Sequence, residues 1–593
     1  MKKILSIILP SLLLFSACES RYLDLEPLDT ITEAAYFTQP EHFEASSNDF
    51  YNKMIGWRSV DGSSVYDFMD FGTDLTALAQ DYGRGVLVAP ANDSYWTRSY
   101  KYIRANNILL QKADEYPGDA SEIAQYVAAA KFFRAYHHYL LMQRFGGVPV
   151  VTTVMDLNSE ELLGARKSRY EVFAQIMADL DDAIAGLPVE QNIAAADKGH
   201  ISKWAAEAFK AKALLFEATW EKNVGTTTDG DGIANGAGST KPDGYPTVSE
   251  MFTLAKNLAK DVMDNGGYEL WNYNSQLNNL SNLYLFDLED EGSNPAGLDK
   301  STNKEYILYT MFDYSLYQGN VNVSHTVNSR LAPTRKFMDM ILCKDGLPVD
   351  QSPLFQGYTK ASDEFKNRDY RLTAYFADNN TWDTPADGSM KLMGPGSDSG
   401  AGYACRKFRS YNYGTYRAAN TESFDYPIIR LAEVYLIYAE TLLELNGGLS
   451  DAELNESINK IRTRAGLPAL TNAFVANNGL DMREEVLRER AVELYAENSR
   501  FLDLKRWGIA EEELNKDICG NVIEGTDYET NSTLYSPSAY PYGEITVSTG
   551  VGDRRVLLLD PSSNRNFQRK HYLYPLPLEE INLNSNLIQN PGY

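Results

Sequence analysis

Apolar positions recur at steps of three and four through four successive stretches, residues 95–116, 121–147, 168–188 and 200–221. In the second, Tyr126, Ala130, Phe133, His137, Leu140 and Leu141 fall on one helix face, and Gly146, Gly147 and Pro149 supply a stop. Small residues alternate with large ones in KWAAEAFKAKALLF, from Lys203 on, so that neighbouring helices can approach closely. That pattern predicts helical hairpins of the tetratricopeptide type, although no strict repeat is visible. A loop rich in Gly, Thr and Asp follows, then one more helix from about Thr247 to Gly266. Over 267–425 the long periodic runs give way to Tyr, Gly, Asn and Asp, which predicts an irregular insertion carrying short strands. Helical periodicity returns over 426–508, and 509–593 reads mainly as loops. The expected fold is mainly α.

The first residues follow a different rule. Lys2 and Lys3 precede an apolar run from Ile4 to Phe15, and small Ser16 and Ala17 stand directly before Cys18. The run is too short for a bilayer span and has the layout of a secretory signal. The expected organisation is therefore a signal over 1–17, an anchor, tether and first helix over 18–55, and a helical region with binding loops over 56–266. The insertion and the two C-terminal regions follow. The Ser-Ala-Cys ending resembles a bacterial lipoprotein signal, which implies lipidation of Cys18; several lipid chains there would hold the body at a membrane surface.

Composition removes several classes of function. A formal charge of −26 over 593 residues disfavours nucleic acid and anionic headgroups. With Cys18 lipidated, Cys343, Cys405 and Cys519 allow at most one disulfide, and no CxxC is present. No GxxxxGK[ST], HExxH or GxSxG motif occurs. The nearest approach to a calcium loop, DGDGIANG, has Ile233 at the fifth ligand slot. The adjacent His137 and His138 point different ways on a helix, so no metal or cofactor is expected. The 39 Tyr against 24 Phe favour the aromatic whose tip tolerates water, which suits a wet, aromatic-lined binding surface.

The stretch ERAVELYAENSRFLDLKRWG, residues 489–508, combines acids, bases and aromatics. Read as one helix with the residues before it, from Asp481 on, it puts Leu487, Ala491, Leu494 and Phe501 on one side and Glu489, Glu493, Glu497 and Arg500 on another. Such a stripe reads as a solvated or ion-paired face, and Arg430, Glu433 and Glu440 read as paired internal ties. The same stretch resembles the C-terminal signature of the SusD/RagB family. Agreement extends to YLDLEP after Cys18, to IIRLAEVYLIYAE with INKIRTRAGLP, and to the terminal YPLPLEEINLNSNLIQNPGY. One departure is Asn498, where the family more often has Gly; Asn also tolerates unusual backbone angles.

The resemblance implies a lipid-anchored protein on the outer face of the outer membrane, partnered by a TonB-dependent transporter of the SusC/RagA type. It implies capture of an oligosaccharide or polysaccharide without covalent chemistry, and a fold in which Glu489, Arg490, Glu493, Arg500 and Asp503 tie helices together. Sugar sites join flat apolar surfaces for the ring faces to polar groups for hydroxyls. The ligand face it implies lies near residues 74–96 and the aromatics of the insertion. Asp74, Tyr82 and Arg84 are the expected hydroxyl contacts, and Trp96, Tyr317 and Trp382 the expected stacking residues. Peptide capture in the same architecture is the alternative. A surface glycoside hydrolase and a scaffold binding only protein are the other classes; the first would need two carboxylates across a cleft.

Overall fold

The computed structural model describes residues 36–57, 70–225, 241–316, 321–324, 331–377, 381–383, 390–392, 401–403, 405–411, 418, 420–532 and 535–593. Cys18, Tyr317 and the DGDGIANG stretch lie outside the described residues. The helices that carry the architecture are α1 (Pro40–Tyr51), α2 (Ser94–Asp114), α3 (Ala124–Phe145), α4 (Arg169–Gly186), α5 (Lys203–Asn223), α6 (Val248–Asn265), α7 (Leu431–Asn446), α8 (Met482–Glu493) and α9 (Arg500–Arg506).

Local chemistry sets where several of them begin. Ser168 and Glu171 form a capping box at α4, and Thr247 and Glu250 form another at α6. Asp93 caps α2 through Oδ1, which accepts from the Tyr95 N–H at 2.9 Å. Its Oδ2 accepts from Arg144 at 2.7 Å in the last turn of α3, so one side chain both starts a helix and fastens it to the next. Each helix from α2 to α6 packs on its successor in the chain, and α6 packs on α7. Alanines on α5 make this close stacking possible: Ala205, Ala206, Ala208, Ala211, Ala213 and Ala218 are all buried, and Trp204 to Trp220 is a helix covered nearly all round. One large apolar core runs through α1 to α7.

Within 267–425 the regular elements are short. Strands β1 (Tyr306–Thr310), β2 (Thr381–Asp383) and β3 (Met390–Leu392) belong here, and β1 pairs antiparallel with β4 (Tyr426–Arg430), while β2 pairs with β3. A three-stranded sheet near the C-terminus has the order β5 (Ile518–Val522), β7 (Gly552–Asp560), β6 (Glu544–Thr549). A second apolar core gathers this region around Trp271, Tyr284 and Phe337, and Trp57 joins it. The mainly helical fold with a loop-rich insertion is as the periodicity predicts.

The 489–508 stretch is not one helix. Helix α8 ends at Glu493 and α9 starts at Arg500, and between them Ala496 and Asn498 both have φ of 61°. The charges are buried instead of solvated. Glu493 meets Arg464 at 2.5 Å, Arg430 at 2.7 Å and Arg371 at 2.9 Å, Glu489 meets Arg371 at 2.6 Å, and Arg490 meets Asp503 at 2.8 Å. Glu440 bonds both Arg506 and the Trp507 indole. Burial opposes the charge on Glu493, yet its three guanidinium neighbours hold that carboxyl well below the usual range.

Candidate functional site

Four separate segments enclose a cleft of about 880 Å³: the end of α1 with residues 52–56, Arg98 in α2, the 196–200 turn, and residues 309–313 at the end of β1. Backbone ties hold its walls. The Ile201 N–H donates to the Tyr51 hydroxyl at 3.0 Å, the Ile55 N–H to the Tyr136 hydroxyl at 3.0 Å, and Thr310 Oγ1 to the Ile55 carbonyl at 2.6 Å. Asp425 fixes the 309–313 wall, accepting from the Phe312 N–H at 3.0 Å and from Lys300 at 2.7 Å, while Lys300 also donates to the Phe312 carbonyl. Gly56 is required by this closeness, since a Cβ there would stand 2.9 Å from the Phe312 ring.

The lining combines the rings of Tyr51, His200, Tyr309 and Phe312 with Asn48, Asn52, Lys53, Arg98, Asp197 and Asp313. Burial raises the Tyr51 and Tyr309 phenols above their ordinary value, so both stay neutral and keep a hydroxyl that can donate or accept. Asp313 is held below its usual range, first by the Ser315 hydroxyl at 2.6 Å, and remains an acceptor. Beside the cleft, Tyr102 stacks on buried His137, and the ammonium of Lys53 and the guanidinium of Arg98 stand 5.2 and 5.9 Å from its ring. Burial and Arg98 push His137 down to about 3, so the ring beneath is neutral.

Flat rings beside mixed donors and acceptors suit a hydroxylated ligand with apolar faces. A second cleft of about 710 Å³, between residues 336–351, 479–488 and 548–550, has no aromatic side chain in its lining and lacks that pairing. Among the described residues, no group of three or more His, Cys, Asp or Glu side chains is placed to hold a metal ion. Cys343, Cys405 and Cys519 are buried and free.

None of the sequence-predicted candidates in the 70–96 segment lines the 880 Å³ cleft. Asp74 is 3% exposed and is held by Arg500 at 2.7 Å and Lys336 at 2.5 Å. Tyr82 donates to the Phe71 carbonyl and lays its ring 5.1 Å from Phe501. Arg84 makes a bidentate pair with Asp560 at 2.8 and 3.0 Å. Trp96 is 4% exposed, packed on Tyr100 and Phe145. All four thus have protein partners; Asp74 and Trp96 are withdrawn from the surface, whereas Tyr82 and Arg84 stay half-buried outside the 880 Å³ cleft. Trp382 sits in β2 opposite Lys391. Trp271 and Tyr284, two further aromatics of the insertion, are core residues.

The residues the cleft does bring together were missed. Tyr51, Tyr309 and Phe312 are three aromatics among 39 Tyr and 24 Phe. The available signal was the aromatic density of YILYTMFDY, residues 306–314, in which rings continue past the end of the strand.

A family model described as the SusD family matches residues 286–593, and one described as starch-binding, associating with outer membrane, matches residues 44–215. A SusD-like protein of Bacteroides ovatus is 25% identical over 93% of this chain and 94% of its own length. SusD-like protein P25 of Formosa agariphila is 24% identical over the whole of both chains. A solved SusD-like carbohydrate-binding protein of Bacteroides fragilis superposes with a TM-score of 0.69 at 23% identity, covering 93% of this chain and 99% of that one.

Proposed function

Since this chain belongs to the SusD family, we propose that it is a non-catalytic glycan-binding lipoprotein of the outer membrane, anchored through Cys18, which captures an oligosaccharide or polysaccharide and delivers it to a TonB-dependent transporter. The observation that carries the reading is the meeting of Tyr51, Tyr309 and Phe312 with Asn48, Asn52, Arg98 and Asp313 in one cleft. Rings stack against the CH faces of a sugar, and the amides, guanidinium and carboxylate satisfy its hydroxyls. The walls are built by backbone ties before any ligand arrives, so little ordering cost attaches to binding. Capture and release need no bond to be made or broken.

The test is affinity gel electrophoresis of the chain from residue 19 onward against plant, microbial and host polysaccharides. One class of polysaccharide is expected to retard it. At about 1 kcal/mol per stacked ring, the double substitution Tyr309→Ala with Phe312→Ala is expected to weaken retardation about tenfold or more. Retardation unchanged by these substitutions places the ligand elsewhere. No retardation by any polysaccharide shifts the ligand class to peptide, read by calorimetry with oligopeptide mixtures.

A further inference from the structure

Helix α2 reverses the charge of the chain. From Ser94 to Ala113 it holds Arg98, Lys101, Arg104 and Lys112 and no Asp or Glu, in a protein of formal charge −26. Two of these bases are committed elsewhere: Arg104 donates to the Met155 carbonyl at 2.5 Å, and Lys112 meets Glu115 at 2.8 Å. Arg98 and exposed Lys101, one turn apart, gather with Lys53 from the segment after α1 around a single ring. Their charged groups stand 5.9, 5.8 and 5.2 Å from the centre of Tyr102, and buried His137 stacks on the same ring. Like charges a turn apart on a helix repel, and the negative face of the ring offsets only part of that repulsion. An anion brought to the three cations would complete the set.

Two of the three, Lys53 and Arg98, line the 880 Å³ cleft. The acids that share its lining do not cancel them. Asp49, its side chain 58% exposed, lies 3.5 Å from Lys53, an exposed pair of little strength. Asp313 Oδ1 already accepts from the Ser315 hydroxyl and from the Ser315 and Leu316 N–H groups. Glu44 and Asp197 stand where the cleft meets a smaller cavity of about 210 Å³, whose lining includes both acids and neither Lys53 nor Arg98. Charge is therefore sorted along the cleft, with the acids toward the smaller cavity and the bases away from it.

We infer that the cleft selects glycans carrying acidic groups, a uronate carboxylate or a sulfate ester, and that Lys53, Arg98 and Lys101 receive the anion while Tyr51, Tyr309 and Phe312 take the sugar rings. The inference names the class of glycan and rests on the capture proposed above. A guanidinium meets such an oxyanion with a fork of N–H donors, and each ammonium adds a point charge. A chain this acidic repels polyanions over most of its surface, so only a local group of cations admits one.

The experiment measures binding of the full chain, in mild detergent, to immobilised polysaccharides in matched pairs. Polygalacturonate, alginate and hyaluronan are each compared with their carboxyl-reduced forms, and carrageenan and fucoidan with their desulfated forms; starch, mannan and galactan are the neutral set. Capture by an acidic polysaccharide is expected, with affinity about tenfold or more lower for its neutralised form and falling as salt is added. The pair that responds separates carboxylate from sulfate. Arg98→Gln with Lys101→Gln is expected to lose about tenfold or more in affinity for the acidic form, so that its preference over the neutralised form collapses. Lys101→Glu, at an exposed helix position, tests the same contact if the double variant is unstable, and an unchanged thermal midpoint shows each variant to be folded. Lys516→Gln, an exposed cation outside the cleft, is expected to keep the preference. Equal binding of both members of every pair, or binding confined to neutral polysaccharides, overturns the acidic class and leaves glycan capture standing. An acidic preference that survives in the Arg98 and Lys101 variants, or that falls as far in the Lys516 variant, overturns the assigned residues. Binding to no polysaccharide of the set removes both the acidic class and the capture on which it rests.

Discussion

Glu493 is fully buried between Arg371, Arg430 and Arg464, and those arginines share Asp369, Glu489, Glu305 and Glu497. Removing one member of such a set leaves uncompensated buried charge. Glu493→Gln is expected to lower stability by about 3–5 kcal/mol in urea unfolding followed by circular dichroism. The pH dependence has a definite sign. Glu493, Asp74 and Asp503 have folded values depressed below the ordinary carboxylate range. Their contribution is thus present above about pH 4 and is lost as pH falls below it. Lys505 gives a separate test: burial, with Arg144 and Arg169 near, pushes its ammonium down to about 7, and its Nζ donates to the Tyr572 carbonyl. The unfolded chain holds that proton up to about pH 10.4, so this residue's term stabilises the fold increasingly from pH 7 to pH 10. In Lys505→Met the term is absent, and the stability of the variant relative to wild type is expected to fall across that range.

Among the elements, the loop over 70–85 shows how a segment is fixed by close approach. Gly83 lies against Gly72, and a Cβ on it would stand 1.9 Å from the Gly72 carbonyl oxygen. The loop also caps α9: Asp70 accepts from the Arg500 N–H at 2.7 Å and the Asn498 N–H at 3.2 Å, across more than 400 residues of sequence. Gly83→Ala is expected to cost at least about 1–3 kcal/mol through overpacking and to loosen the start of α9, read as faster amide exchange over 498–503. Ser168→Ala removes one half of the α4 capping box and is expected to cost about 1 kcal/mol, with no effect on polysaccharide retardation. The break between α8 and α9 was not legible from periodicity, because apolar positions keep helical spacing through it. Asn498 signalled an unusual angle; Ala496, at the same φ, did not.

At the scale of the whole molecule, the cleft joins residues near 50, 98, 197 and 310, so it exists only in the assembled fold. Tyr309→Ala with Phe312→Ala is expected to weaken polysaccharide retardation about tenfold or more while far-UV circular dichroism stays unchanged, because both rings are half-buried at the wall of the cleft.

The sequence by itself determined the helical pairs, the irregular insertion and the family, because helical period, stop signals and short motifs are local properties that survive without knowledge of neighbours. It also marked 489–508 as architecture. Only the tertiary structure decided that the charges there lie inside and that Asp74, Tyr82, Arg84 and Trp96 are occupied by protein partners. It alone assembled a cleft from residues near 50, 98, 197 and 310. Whether a tyrosine or a carboxylate faces ligand or core depends on which distant segment packs over it, and a one-dimensional pattern carries no such coordinate.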